Sequence, residues 1–490
     1  MRIKITLLFY LFSLSIVAQS ITAKLIDKSS RKPIPYANIK TGKYSGVISN
    51  DEGFFTISST KDNKSITISC IGYENKSLTI KDIKALNFVI ELQESINKLD
   101  EVFISNKALN ADSIIAKVKA KLTDNYSNDL QQYNMFKRTT DHVDFKSLEF
   151  EIDKASHVKK KQLQDVNNSL TALVKQVKNS NMIQFSDAKG KIFTLNKDSI
   201  KLEIEKATEL LDYKNDFSID NIQEKMQNII LTYLDTTKTY KLKTGLFKIE
   251  DSLSLNDDNF KENNENQYTL DHLNSSIKSL LKRAQLYNGA FLSKLLNTDL
   301  YEYKFEDVGY NNGEPVYIIS YVPKKGKSKY TGKLYVADDT YAITRVDYGY
   351  YKKRRGQKFN LRLLLGVKYI ENVSEGTMIF EKDSSNLYHP KYIKHVYGSY
   401  FYVSRPLKFI ENSSKRNKVA FDFTIEGDNR TKDELLITKH NRLTSLNFEK
   451  IKQVEKVPFI KLNKYEKTIW DSEGVLEPSL EMKAFESSEN

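Results

Sequence analysis

Ile21, Ala23 and Leu25 alternate with Thr22 and Lys24, the period-two pattern of a strand that buries one face. The pattern returns at Phe54 to Ser58, at Ile66 to Ile71 and at Phe88 to Leu92, with turn residues between the segments. Short strands at this spacing predict a β-sandwich. From Ala111 the period changes: Ala111, Ile114, Ile115, Val118 and Leu122 mark one stripe of an amphipathic helix, with Asn110 or Asp112 as its N-cap. Further stripes run through Leu163, Val166, Leu170, Leu173, Val174 and Val177, through Ile222, Met226, Ile229, Ile230 and Tyr233, and through Leu273, Ile277, Leu280, Leu281 and Ala284. Helices of this length are marginal alone in water, so each stripe is expected to bury itself on a sheet or on another helix. Strand-like segments intervene at Lys189 to Leu195 and at Thr239 to Ile249, and Asn256 to Gln267 is polar enough to read as an exposed loop.

From Leu300 onward the pattern is strands and tight turns. Asn311-Asn312-Gly313, Lys324-Lys325-Gly326, Asp338-Asp339 and Ser374-Glu375-Gly376 separate the runs Pro315 to Val322, Lys333 to Val336, Tyr341 to Tyr350, Lys358 to Ile370, Thr377 to Lys382 and Tyr392 to Val403. This predicts an antiparallel meander of about eight strands. The fold class is therefore α+β and β-rich: an N-terminal β-sandwich followed by helices packed on a curved antiparallel β-sheet. The expected division is a signal peptide at 1–18, the sandwich at 19–106, a mixed helix and strand region at 107–299, the meander at 300–440 and a tail at 441–490.

The signal peptide rests on Arg2 and Lys4, an uncharged apolar run from Ile5 to Val17, and Ala18 as the small residue before cleavage. The run is shorter than the roughly 20 residues that span a bilayer, and no Cys follows it to carry a lipid anchor. Export makes nucleic acid an improbable partner for a chain of net charge +13 and leaves lipid head groups or anionic glycans. The single cysteine, Cys70, reads as a small core residue in the alternation Ile66, Ile68, Cys70.

Three segments carry a resemblance: Pro35-Tyr36-Ala37-Asn38-Ile39, Gly46-Val47-Ile48-Ser49-Asn50-Asp51-Glu52-Gly53-Phe54-Phe55, and Ile68-Ser69-Cys70-Ile71-Gly72-Tyr73. In this order and spacing they resemble the carboxypeptidase regulatory-like domain. The resemblance implies a transthyretin-like seven-stranded sandwich, an accessory module that carries no catalytic residue. Asp51-Glu52 then reads as a turn, since a calcium loop needs acids alternating through a longer segment. Leu99-Asp100-Glu101-Val102-Phe103-Ile104 resembles the segment that joins such modules to the plug of TonB-dependent receptors, but the remaining length cannot supply that large barrel. Tyr465 to Trp470 and Val475 to Pro478 resemble a tail of uncharacterised envelope proteins that begin with the same module.

No catalytic site, cofactor or metal is expected. None of the six histidines, His142, His157, His272, His389, His395 and His440, lies in a local zinc-ligand motif. His389 and His395, six apart on one predicted strand and so on one side of it, are the pair worth testing as a metal site. Asp338-Asp339 reads as a turn, and Lys352-Lys353-Arg354-Arg355 as a solvated hairpin or a dock for acidic lipid or polysaccharide. Tyr301, Tyr303, Tyr310, Tyr317, Tyr321, Tyr330, Tyr335, Tyr341, Tyr348, Tyr350 and Tyr351 are good strand formers that could also line a lipid-accepting trough or stack on sugar rings. The expected function is that of a non-enzymatic, exported cell-envelope protein, periplasmic or outer-membrane-associated, that binds a partner or an apolar, lipid-like ligand through its curved sheet. The alternatives are an accessory protein of glycan or nutrient uptake and a hydrolase with a dispersed site.

Overall fold

Seven strands build the N-terminal module in the computed structural model: β1 (Ser20–Asp27), β2 (Asn38–Gly42), β3 (Ser45–Ile48), β4 (Phe54–Ser58), β5 (Ser65–Ser69), β6 (Lys76–Thr79) and β7 (Val89–Leu92). One layer has the order β4-β1-β7 and the other β3-β2-β5-β6. The alternation seen in the sequence places Ile21, Ala23 and Leu25 against Ile39, Phe55, Ile66 and Ile68 in one buried cluster. Gly53 has φ +78°, and a Cβ there would lie 2.5 Å from the Leu25 carbonyl oxygen, so the turn that delivers Phe55 to this core requires glycine.

The structure describes residues 20–42, 45–58, 64–95, 110–126, 130–179, 182–195, 199–212, 225, 228–229, 231–245, 247–255, 270–287, 289–311, 313–453, 457, 459–470 and 474–486. The expected leader at 1–18, the segment 99–104, the polar stretch 256–267 and much of the stripe from Ile222 lie outside the described residues.

A 14-stranded sheet forms the second body. Its strands are β8 (Gln131–Ala155), β9 (Ile183–Thr194), β10 (Ile200–Leu210), β11 (Thr239–Thr244), β12 (Phe247–Ser254), β13 (Tyr301–Asn311), β14 (Glu314–Pro323), β15 (Tyr330–Ala337), β16 (Ile343–Tyr350), β17 (Lys358–Leu361), β18 (Val367–Lys382), β19 (Tyr388–Glu411), β20 (Lys418–Arg442) and β21 (Phe459–Leu462). The main path runs β13-β14-β15-β16-β18-β19-β20-β8-β9-β10-β21, with β11 also on β19, β12 on β11 and β17 on β18. β13 and β21 end the path without pairing to each other among the described residues, so the sheet is open. Strands from the 107–299 and 300–440 stretches thus share one sheet.

Both faces of its centre are buried, which follows from the pleat. Met135, Ile393 and Leu435 point to a core shared with the helices Ala111–Ala120, Leu270–Arg283 and Phe291–Leu295. Their neighbours Phe136, Tyr392 and Leu436 point the opposite way, to a core shared with Ile48 of the sandwich and Trp470, Val475 and Leu476 of the tail. The helix Ala111–Ala120 is capped by Asn110, whose side chain accepts from the Asp112 and Ser113 amides. Among the described residues no helix is long and apolar enough to cross a membrane.

Three expectations need correction. Thr239 to Ile249 is a hairpin rather than one strand, because Gly245 at φ +56° reverses the chain between β11 and β12. Lys358 to Ile370 likewise folds back on itself, through a helical turn Arg362–Leu365 that ends at Gly366 with φ +62°. Ser374-Glu375-Gly376 is no turn but the middle of β18. A Cβ on Gly376 would fall 2.2 Å from the Lys394 carbonyl oxygen and 2.6 Å from the Tyr348 hydroxyl, so this glycine serves close packing.

Candidate functional site

The signature segments of the sandwich are the ones that meet the large sheet. The Tyr36 ring stacks on Tyr392 with centroids 5.5 Å apart and planes at 29°, and its hydroxyl donates to Asp51. Asp51 is held by Lys394 and Lys432, each at 3.1 Å. Burial works against the charged Asp51 carboxylate, but the two lysines keep its pKa below the ordinary value. Lys432 also reaches Glu434 at 3.3 Å, and Glu434 accepts from the Tyr392 hydroxyl at 2.6 Å. On the same loop Asn50 Nδ2 donates to the Glu477 carbonyl at 3.3 Å, and Glu52 accepts from the Leu480 amide at 2.9 Å. The turn expected at Asp51-Glu52 is therefore present, and its acids pin the module to the sheet and the tail. Cys70 is buried, and burial pushes its thiol up to about 11, which leaves it inert near neutrality.

A second network lies behind this contact. Arg138 donates twice to Asp187, at 2.8 and 2.7 Å, and once to the Glu477 carbonyl at 3.1 Å. Both side chains of the ion pair are almost wholly buried, at 5% and 0% exposure.

A polar cleft of about 670 Å³ opens between the helix Leu270–Arg283 and the sheet. Lys137, Asp141, Ser276, Arg283, His395, Tyr397 and Asp433 are among its walls. Lys137 bonds to Asp433 at 2.8 Å, with Thr139 and Ser276 on the same carboxylate at 2.7 and 3.3 Å. Burial raises the Asp141 carboxyl despite a 2.5 Å bond from Thr431. Arg283 leaves its buried Nε without a hydrogen-bond partner. The apolar side of the sheet, by contrast, is filled: Tyr301, Tyr303, Tyr317, Tyr321 and Tyr348 are buried in the helix-side core rather than lining a trough.

A cationic cavity of about 370 Å³ lies at the other candidate surface, walled by Gly326, Lys329, Lys353, Arg354, Arg355 and Lys358. Arg354 is occupied by the carbonyls of Lys325, at 2.6 Å, and Ser328. Lys329, Lys353, Arg355 and Lys358 pair with no carboxylate among the described residues. The nearby Glu371 carboxylate is engaged by the Tyr350 hydroxyl at 2.7 Å and the Gln357 amide at 2.9 Å. β17 starts at this cavity and carries an exposed apolar strip: Phe359 at 47%, Leu361 at 40%, then Leu364 at 75% and Leu363 at 101% exposure. The β11–β12 hairpin adds exposed Phe247 and Ile249 nearby. Leu361 pairs with Val367, which pairs with Val403, while Thr244 pairs with Leu407, so both hairpins leave from adjoining stretches of β19.

The histidines do not assemble as the spacing suggested. A β-bulge at Lys391, between the pairs Phe380–Pro390 and Ile379–Tyr392, puts His389 and His395 out of phase, so they do not share a face. His395 Nδ1 meets the Tyr348 hydroxyl at 2.9 Å, and burial pushes its pKa down to about 4. His389 instead stacks on His440, with centroids 4.1 Å apart, and its Nε2 lies 3.1 Å from Asp383 Oδ2. The partners His440 and Asp383 were hidden in the sequence by 50 or more intervening residues on one side and by a turn on the other. Asp338 and Asp339 point apart, toward the Tyr317 hydroxyl and toward Lys382, as turn neighbours do.

Residues 21–104 match the family model of the CarboxypepD_reg-like domain. The sandwich is thus a regulatory-like module, a non-catalytic fold that often serves interaction, and its match covers the three signature segments at the docking face. No curated protein and no solved structure matches the chain.

Proposed function

We propose that the protein is an exported, non-enzymatic cell-envelope protein that associates with an anionic lipid surface through the β17 strip and the cationic cavity at its base. The observation that carries this reading is the placement of exposed leucines on the same hairpin as a cavity whose four cations have no acidic partner among the described residues. Leucines on a soluble surface cost free energy in water, and burying each in lipid recovers about 1.5–3 kcal/mol. Each lysine or arginine near an anionic membrane adds about 1 kcal/mol, so the strip and the cavity act in the same direction. The leader pattern at 1–18 supports export, and the non-catalytic module supports a role in interaction. The test is co-sedimentation of the full chain with vesicles of phosphatidylglycerol or of phosphatidylcholine. Binding to the first, reversed by salt, is expected; equal binding to both, or to neither, overturns the reading.

A second reading is a polar ligand such as a glycan in the cleft beneath the helix Leu270–Arg283. It is favoured by the unpartnered Arg283 Nε and by Tyr397, 39% exposed and stacked on His395 at 5.2 Å. Glycan binding lost in Tyr397→Ala with vesicle binding intact is the result that would select it.

A further inference from the structure

The turn between β18 and β19 brings one carboxylate under two imidazoles. Asp383 Oδ1 accepts from the Ser385 and Leu387 amides at 2.7 and 3.0 Å, which fixes the carboxylate and turns Oδ2 toward His389 and His440. The Nε2 atoms of those histidines lie 3.1 and 3.5 Å from that oxygen, and all three ligand atoms lie within 4.8 Å of one another. His389 and Asp383 are nearly enclosed, at 5% and 13% side-chain exposure, whereas His440 is at 27%.

From this geometry we infer that Asp383, His389 and His440 form a binding site for a divalent transition metal of the zinc class, with its fourth position open to water. A tetrahedral ion with ligand bonds of about 2.0–2.1 Å sets its ligand atoms about 3.3–3.4 Å apart, a spacing bracketed by the 3.1 and 3.5 Å at which the two histidine nitrogens stand from the carboxylate oxygen. Two imidazoles and one carboxylate suit zinc, nickel or copper and poorly suit calcium or magnesium, which take oxygen ligands. The ion would tie the β18–β19 turn to the end of β20, closing a corner of the sheet that the strand ladder leaves to side chains.

The test uses the full chain without a histidine tag, stripped with a chelator and titrated with Zn²⁺ by calorimetry. One ion per chain is expected, with a rise in Tm. His440→Gln and Asp383→Asn should each weaken binding by more than about tenfold, the loss already seen when outer-shell partners are removed. His142→Gln, far from the site in an exposed contact with Glu481, should leave it unchanged. Co²⁺ added to the unaltered chain gives a reading independent of whether any variant folds: strong visible bands of a tetrahedral ion are expected. Featureless weak absorption, or a Zn²⁺ affinity equal in the unaltered chain and both ligand variants, overturns the inference.

Discussion

Two regions reached along β19 hold cations and apolar side chains in opposite states. At one end Tyr392 and Lys394 meet the sandwich: the ring is buried under Tyr36, and the lysine has Asp51. Farther along the strand, Tyr402 and Val403 pair with the stretch of β18 that carries β17 on its other side, where among the described residues lysines and arginines line a cavity without a carboxylate and leucines stand in solvent. Cations and aromatics alone do not separate a structural joint from a recognition surface. What separates them is the partner: the first region finds acids and apolar cover in the same chain, and among the described residues the second finds neither. A joint of the first kind should fail by losing stability, and a surface of the second kind by losing binding.

The largest expected effect is on the joint. Asp187→Ala leaves the Arg138 guanidinium buried without its counter-charge, which should cost about 3–5 kcal/mol. Trp470 is the sole tryptophan and packs edge-on against Phe136 at 5.2 Å, so its fluorescence reports unfolding of this core directly. A urea midpoint unchanged from the unaltered chain would show that the pair is not what holds the joint. In the second region, Leu363→Asp with Leu364→Asp should leave the midpoint within about 0.5 kcal/mol, as surface changes do. The same pair should weaken phosphatidylglycerol binding at least about a hundredfold, given about 1.4 kcal/mol per decade and about 1.5 kcal/mol or more for each of two leucines removed from lipid. Lys353→Glu with Arg355→Glu comes next, with about fivefold lost for each charge removed at about 1 kcal/mol. Retained vesicle affinity in either double variant would return the strip to the status of ordinary exposed surface.

The sandwich was legible because its strands alternate cleanly and bury one face, so Ile21, Ala23 and Leu25 announce their partners. The 25-residue β8 was not. Both of its faces are buried at the centre, and buried Lys137, Arg138, Thr139 and Thr140 replace the expected apolar run, so period and polarity part company. The turns failed where glycine had two uses: Gly376 looks like Gly326 in sequence, yet one admits Tyr348 and a neighbouring strand while the other sits in a turn. The cationic cluster was legible as a cluster, but its apolar companion was hidden, since Phe359, Leu361, Leu363 and Leu364 read as core strand until the chain reverses at Gly366. His389 was singled out with the wrong partner, because a one-residue bulge is invisible to spacing arguments and inverts their parity.

The smallest expected effect is the most specific to the joint. Asp51 bridges two lysines but is 39% exposed, so solvent screens the pair and Asp51→Asn should cost no more than about 1 kcal/mol at neutral pH. Its pH dependence is the better signal. The folded pKa lies below the ordinary 3.8, so the unfolded chain binds this proton more readily. Its stabilising contribution is therefore complete above pH 3.8 and is lost as the pH falls through the lower folded value. In Asp51→Asn that contribution is absent at every pH, so the variant should lie slightly below the unaltered chain near neutrality and converge with it in acid. Trp470 fluorescence in urea at a series of pH values measures both curves. A constant gap between them down through that acid range would mean that Lys394 and Lys432 hold the module by some contact other than the Asp51 carboxylate.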